Sequence, residues 1–441
     1  MKLFKASWMT SLVGAAGLLC MPLLLSGCDL MRDPVSLMNT PIMSTDKEKL
    51  VSVINTQLRD IPGATLLRPR DPDDSNTIRR GDLNNDGTEE AVVFYEAPDD
   101  TPRIHGMLLE EQQGTWVKKL TFEGKGLELE SLKLVDLTND GQLDIVAGYS
   151  TGDDQDGQNL LVVYRYNGSS IEKVLEMPYS KFLVEDNRRE PLDLNGDGIN
   201  DLTVISYKQN EMPSVTTYQY NGSFQEIGKL DLDNTVNNFY NIVAGKIAKN
   251  KEGIIIDTQL AAHSYYSSMI TMNNEVMEEV QLQDHTQKDA MIKSGDVDGD
   301  GIIEYGILKR PDGWEHFAPD DVPFFVNYYQ WDGKNGSKFV MQKYEDFEDR
   351  FSLKIPSDLY GKVTLDTKSQ KDKYLKFIKT DTGQTLAEIK FFTLQQWEDA
   401  KGSWEERIRD KDRVVGIKLH GEFLENKLNN SGLSDRKGVK Q

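Results

Sequence analysis

Residues 81–95 read GDLNNDGTEEAVVFY. Three oxygen-bearing side chains alternate, a glycine follows, and the chain then turns apolar. The stretch returns. Residues 136–149 read DLTNDGQLDIVAGY, 193–207 read DLNGDGINDLTVISY, and 296–308 read DVDGDGIIEYGIL. The first Asp recurs after 54, 57 and 103 residues, the last spacing being about two periods. A second marker runs in phase. Asn167-Gly168 and Asn221-Gly222 lie 54 apart, and Gln113-Gly114, Asn273-Asn274 and Asp332-Gly333 fall at comparable points. Such dipeptides supply the positive φ angles of type I′ turns and predict β-hairpins. Runs rich in β-branched and aromatic residues precede them: LLVVYRY, SVTTYQY and FFVNYYQW.

Each unit therefore reads as polar loop, strand, strand, hairpin, strand, with room for a fourth strand. A period near 50 residues built from short strands predicts a mainly β fold, a β-propeller or related array. One such sheet buries only one face alone; stacked neighbours bury both. Five units are visible, at about 80–133, 134–190, 191–243, 244–293 and 294–348. The loop missing from the regular spacing is expected near GKIAKNKEGIIID, residues 245–257. There Lys246 stands in for the first Asp, and its ammonium is expected to replace a cation. Residues 46–79 predict a helix over 46–59, from a capping box at Thr45 and apolar Leu50, Val51, Ile54 and Leu58, then a lead-in strand TLLRP that helps close the array. Residues 349–428 predict a small α+β domain. FSLKIP, KVTLDT, KYLKFIKT and TLAEIKFF read as strands, LQQWEDAKGSWEERI as a helix with Trp397 and Trp404 on one face, and RVVGIKLHG as a last strand. The tail 429–441 reads as disordered.

The loops are numbered from their first Asp. Position 1 is Asp82, Asp136, Asp193 or Asp296; position 3 is Asn84, Thr138, Asn195 or Asp298; position 5 is Asp86, Asp140, Asp197 or Asp300. Gly87, Gly141, Gly198 or Gly301 follows, and position 9 is Glu90, Asp144, Asp201 or Glu304. Alternating oxygens around a sharp turn suit a hard cation such as Ca²⁺, to which a position-7 carbonyl can add. An Asx-turn needs the Asp and the Gly but not the acid at position 9. An EF-hand is excluded, because position 12 is Val93, Ala147, Val204 or Ile307 and a strand follows.

The loops resemble those of the FG-GAP/VCBS repeat family, found between the strands of integrin-type β-propellers. The resemblance covers about residues 80–348 and is specific in the four loops. It implies Ca²⁺ bound by the side chains at positions 1, 3, 5 and 9 and by the carbonyls of Thr88, Gln142, Ile199 and Ile302. Thr138 is an uncommon ligand, so the second loop is expected to bind more weakly.

The chain has 441 residues and a formal net charge of −21, which excludes generic electrostatic binding of nucleic acid. Residues 1–27 combine a basic start, an apolar run and LSG before Cys28, the order of a secretory signal. Leu25-Ser26-Gly27-Cys28 resembles the bacterial lipobox, which implies cleavage before Cys28 and a diacylated anchor there, with residues 28–45 as a tether. The only other cysteine, Cys20, lies in the signal. A mature body without disulfides then relies on packing and on metal. Asp153-Asp154-Gln155-Asp156-Gly157 lacks the position-9 acid and reads as a solvated turn. His105, His263, His285, His316 and His420 show no zinc spacing. Tyr265-Tyr266 and Trp314-Glu315-His316-Phe317 suit either sugar stacking or edge packing.

These features favour a lipid-anchored, calcium-binding propeller on the extracytoplasmic face of a bacterial membrane, a non-enzymatic binding or scaffold module for an envelope glycan or protein. The rival is an extracytoplasmic polysaccharide lyase or hydrolase built on the same scaffold. It needs acid and base groups converging in one pocket, whereas the repeated acids are already assigned as ligands.

Overall fold

The structure, a computed structural model, describes residues 45–423 except 73, 153–158, 209–210, 263, 274–275, 281–286, 347 and 349. The signal segment, Cys28, the tether, the 153–157 turn, His263, His285 and the tail from 424 lie outside the described residues. The chain divides into two units between Ser52 and Val53. The described part of the first belongs to helix α1 (Thr45–Arg59), whose Leu50, Ile54 and Leu58 are buried one turn apart.

The second unit is mainly β, in six antiparallel sheets. The first holds β1 (Thr65–Leu66), β2 (Arg79–Gly81), β3 (Glu90–Glu96), β4 (Ile104–Gln112) and β5 (Thr115–Glu123), in the order β1-β3-β4-β5 with β2 also on β3. The second is β6 (Glu128–Val135), β7 (Asp144–Ser150), β8 (Asn159–Tyr166) and β9 (Ile171–Tyr179). The third is β10 (Lys181–Leu183), β11 (Leu202–Ser206), β12 (Ser214–Tyr220) and β13 (Phe224–Asp231). The fourth is β14 (Asn238–Ala248), β15 (Lys251–Ala261), β16 (Ser264–Asn273) and β17 (Val276–Glu279), with β18 (Gln287–Lys288) on β16. The fifth is β19 (Tyr305–Lys309), β20 (Phe325–Trp331), β21 (Ser337–Glu345) and β22 (Ser352–Lys354). The sixth holds β23 (Val363–Leu365), β24 (Tyr374–Lys379), β25 (Thr385–Thr393), β26 (Glu405–Arg409) and β27 (Arg413–Leu419), in the order β23-β24-β25-β27-β26.

Residue type explains the burial. Strands β3 and β7, which follow the polar loops, are buried on both faces except at their last residue. They read as unbroken apolar runs rather than alternating ones. The outer strands β5 and β9 are mostly exposed or half-buried and carry the charges. Buried clusters join each sheet to the next. Val92 and Phe94 pack with Leu132 and Ile145; Val146 and Leu161 with Phe182 and Leu202; Ile205 and Val215 with Ala244 and Ile254; Ile255 and Met269 with Tyr305 and Trp331.

Several sequence expectations change here. At loops one, two and three the strand before the loop pairs with the strand after it, so those sheets begin before their loops, whereas the fifth sheet begins at β19 with only a Gly295–Glu304 bridge spanning loop four. TLLRP contributes Thr65–Leu66 to the first sheet. The segment 245–257 holds no loop at all. Strands β14 and β15 run into each other across Lys249-Asn250, and Lys246 lies within β14, opposite Glu252. Of the hairpin dipeptides, only Gln113-Gly114 has two successive positive φ angles among the described residues. Asn167 instead caps a wider turn, accepting from the backbone N–H groups of Ser169 and Ser170.

FSLKIP belongs to the fifth sheet as β22, and the fifth and sixth sheets share one core: Phe325, Tyr344 and Leu353 with Val363, Leu375 and Phe377. The predicted C-terminal helix stops early. Helix α2 (Leu394–Ala400) ends before Gly402, and the EERIR that follows becomes β26 on β27. Trp404 is therefore not helical, although it and Trp397 both pack edge-on against Phe392. α2 opens with a capping box in which Thr393 accepts from the Gln396 N–H and Gln396 answers to the Thr393 N–H. A helix of this length depends on its cap. Thr393→Ala is expected to cost about 1 kcal/mol in denaturant unfolding, within the usual range for a lost cap.

Candidate metal centres

Loops two and three each connect the first strand of a sheet to the second, loop one runs from β2 to β3, and loop four precedes the first strand of the fifth sheet. Loop one leads into β3, loop two into β7, loop three into β11 and loop four into β19. All four fold the same way. The position-1 carboxylate accepts the N–H of the glycine at position 6: Gly87 to Asp82, Gly141 to Asp136 and Gly198 to Asp193 at 2.9 Å, and Gly301 to Asp296 at 3.0 Å. The position-5 carboxylate accepts the N–H of position 7, from Thr88, Gln142, Ile199 and Ile302 at 2.8–3.0 Å. Two residues in each loop are left-handed. The position-6 glycines have φ of 82–86°, and position 4 is Asn85, Asn139, Gly196 or Gly299, with φ from 55 to 85°. Only Gly, Asn and Asp take that conformation cheaply. Position 4 was not singled out from the sequence, although its restriction to Asn and Gly was a visible signal.

The position-9 acid points inward in every copy. It accepts the N–H of position 2: Leu83 to Glu90 at 2.7 Å, Leu137 to Asp144 at 2.9 Å, Leu194 to Asp201 at 2.6 Å and Val297 to Glu304 at 2.8 Å. All four acids are at most 1% exposed. Burial pushes Glu90, Asp201 and Glu304 up to about 7 and Asp144 up to about 6. A buried carboxylate with no compensating charge is costly.

In loop four, Asp296, Asp298 and Glu304 offer oxygens within 4.8 Å of one another, a set able to hold a metal ion. In loop three, which carries Asp193, Asn195 and Asp197, Asp201 Oδ1 is buried without a hydrogen-bond partner. Loop one presents Asp82, Asn84, Asp86 and Glu90 in the same fold, though Asn84 Nδ2 donates to Asp86 and Glu90. Among the described residues only loop four brings three acidic groups together in this way. Loop two departs from the other loops. Thr138 donates its hydroxyl to Asp144, and the Arg165 guanidinium lies 3.6 Å from Asp140 and 3.9 Å from Asp144.

Elsewhere the chemistry is structural. Trp314 is buried, and its indole N–H donates to the Leu365 carbonyl at 2.9 Å, tying the fifth sheet to the sixth. Phe317 packs on Trp314, and Tyr265 packs edge-on against Tyr240. His420 meets Glu388 and His105 meets Asp100, each a lone pair rather than a metal cluster. A cavity of about 600 Å³ is lined by residues of β6, β10 and β14. Its charges are largely engaged with one another. Lys133 lies 2.8 Å from Asp74 and 3.1 Å from Glu185, and Arg79 and Lys133 hold Asp74 below the usual carboxylate range although burial opposes this.

No family model matches the chain, and no curated protein does. Solved structures do. The rhamnogalacturonan lyase YesW matches at 10% identity over 80% of this chain and 74% of its own, with a TM-score of 0.32. A Bacillus licheniformis rhamnogalacturonan lyase matches at 10% identity over 81% and 75%, with a TM-score of 0.32. Sqt1 from Chaetomium thermophilum matches at 9% identity over 74% and 75%, with a TM-score of 0.29. Similarity at this level carries no argument about activity.

Proposed function

We propose that this chain is a lipid-anchored, calcium-binding β-propeller of FG-GAP/VCBS-type repeats that serves as a binding or scaffold module for an envelope glycan or protein. The carrying observation is the loop that recurs four times with one hydrogen-bond plan and one buried acid. A turn alone needs no buried carboxylate, and burying four without cations works against folding. Four-stranded meanders packed face to face are the blade pattern of a propeller. Asp82, Asn84, Asp86 and Glu90, Asp193, Asn195, Asp197 and Asp201, and Asp296, Asp298, Asp300 and Glu304 would hold the ions, with the carbonyls of Thr88, Ile199 and Ile302. Bound Ca²⁺ supplies positive charge that neutralises each buried acid and locks the loop. The chain's own residues set where each loop lies. Among the described residues no helix is long and apolar enough to cross a membrane; the proposed anchor is Cys28. Cys28→Ser is expected to move the protein from the membrane fraction to the soluble one; a variant that stays with the membrane contradicts the anchor.

The functional reading is tested by binding envelope glycans and plant polysaccharides to the purified chain with and without Ca²⁺, while following product release. Calcium-dependent binding without turnover supports the scaffold reading. Turnover of any of these polymers replaces it with the lyase or hydrolase reading.

A further inference from the structure

The residue facing each position-9 acid across the next strand differs from sheet to sheet. Glu90 pairs with Glu110 on β4. The registers Ile145 to Tyr164, Leu202 to Tyr218 and Tyr305 to Tyr329 place Asp144 opposite Arg165, Asp201 opposite Gln219 and Glu304 opposite Gln330. This facing residue reaches into its loop. Gln219 donates to both oxygens of Asp197 at 3.2 and 3.1 Å, and Gln330 donates to Asp300 at 2.8 Å and Glu304 at 2.6 Å. An amide is neutral and offers either an N–H or a carbonyl oxygen by rotating. Arg165 is neither neutral nor adaptable. Its guanidinium stays charged at any pH the protein meets and offers donors only.

We propose that the second loop is a metal-free copy in which Arg165 takes the place of the cation, so that the chain binds three ions and not four. The inference rests on the calcium reading of the other loops. Three features of loop two converge. The guanidinium lies against the position-5 and position-9 acids, at 3.6 and 3.9 Å. It is held there by the Tyr220 ring of the next sheet, 5.0 Å from the ring centre. Finally, both oxygens of Asp144 are already engaged. Oδ2 accepts the N–H groups of Leu137 and Thr138, and Oδ1 accepts the Thr138 hydroxyl. Glu90 and Glu304 are also engaged at both oxygens, but one partner in each is an amide, Asn84 or Gln330, that can turn its carbonyl oxygen to an ion, and Asp201 Oδ1 has no hydrogen-bond partner. Thr138 replaces the Asn or Asp of the other loops, and its hydroxyl is spent on Asp144 where the guanidinium already supplies charge. A divalent ion in this loop would meet a fixed positive charge beside its own ligands. The loop is also pinned from the third one. Asn200 donates its side-chain N–H to the Asp136 carbonyl at 2.6 Å and its backbone N–H to Asn139 Oδ1 at 2.9 Å. Loop two thus has a guanidinium and two bonds from Asn200 to hold its shape with no ion.

The test counts bound ⁴⁵Ca²⁺ by equilibrium dialysis of the mature, chelator-treated chain at pH 7.5 and saturating Ca²⁺. The wild type is expected to bind three ions. Asp136→Asn is expected to leave the count at three, and Asp193→Asn to lower it to two. Arg165→Gln, which copies Gln219 and Gln330, is expected to raise it to four. A wild type that binds four ions, or an Asp136→Asn chain that loses one, overturns the proposal. An Arg165→Gln chain that folds and still binds three overturns the role given to Arg165. A wild type that binds none removes the calcium reading of every loop, a failure distinct from the others.

Discussion

Stripping calcium from the mature chain at pH 7.5 is expected to lower its melting temperature by roughly 10 °C relative to the chain in 10 mM Ca²⁺. Extracellular calcium modules bind at about 10⁻⁴–10⁻³ M. At about a hundred times the tighter value, each site adds about 2.7 kcal/mol. Three sites together shift the melt by a degree or two per kcal/mol in a chain this long, by roughly the trend seen for shorter ones. The effect should depend on pH with a defined sign. Glu90, Asp201 and Glu304 are raised to about 7 by burial. An unfolded carboxyl ionises near 4, so between about pH 4 and 7 the folded, calcium-free chain holds protons the unfolded chain has lost. Its stability therefore falls as pH rises through that window. Calcium replaces those protons, so the gap between the calcium-loaded and stripped chains should widen from pH 5 to pH 7.5. Scanning calorimetry at both pH values measures it. Superimposable melts with and without calcium would contradict the metal assignment.

Lys288→Met is expected to cost about 3–5 kcal/mol, the usual penalty for breaking a buried ion pair from one side. Lys288 and Asp257 are both fully buried, 2.8 Å apart. Lys288 also donates to the Ile292 carbonyl at 2.7 Å. Asp257, on β15, further accepts from Ser267 on β16, from Asn241 on β14, and from the backbone and hydroxyl of Ser294. Burial opposes its ionisation, yet Lys288 holds it below the usual carboxylate range. Removing the ammonium leaves a carboxylate buried among donors but without a countercharge. This fourth sheet is the one whose polar loop is cut to Lys249-Asn250, so the pair is its main internal charge contact among the described residues. A shift in the denaturant midpoint worth less than about 1 kcal/mol would show that the hydroxyls and Asn241 suffice alone.

The repeat was legible because the loop carries its signal locally. Asp at position 1, Gly at position 6 and an acid at position 9 are each required by a bond within nine residues, such as Gly198 to Asp193 or Leu194 to Asp201. The strands after the loops were legible as apolar runs for the same reason. What depended on partners far along the chain was not. FSLKIP looks the same in any sheet, and only its pairing with β21 places it in the fifth. EERIR has helical composition, yet β27 draws it into a sheet. Lys246 stood where an Asp was due, but the fourth sheet had shortened its connection to a two-residue turn rather than exchanging one charge for another. Arg165 lies 29 residues beyond Asp136. Only the β7–β8 register brings it to Asp144, so in the sequence Thr138 alone set the second loop apart.

The central claim is that the repeated loops hold calcium. It is tested most directly by crystals of the mature chain grown in 10 mM Ca²⁺, with diffraction measured at a wavelength where calcium scatters anomalously. Anomalous difference peaks are expected beside Glu90, Asp201 and Glu304, each ringed by the oxygens of its own loop. A map with ordered loops and no peak at any of the three would contradict it.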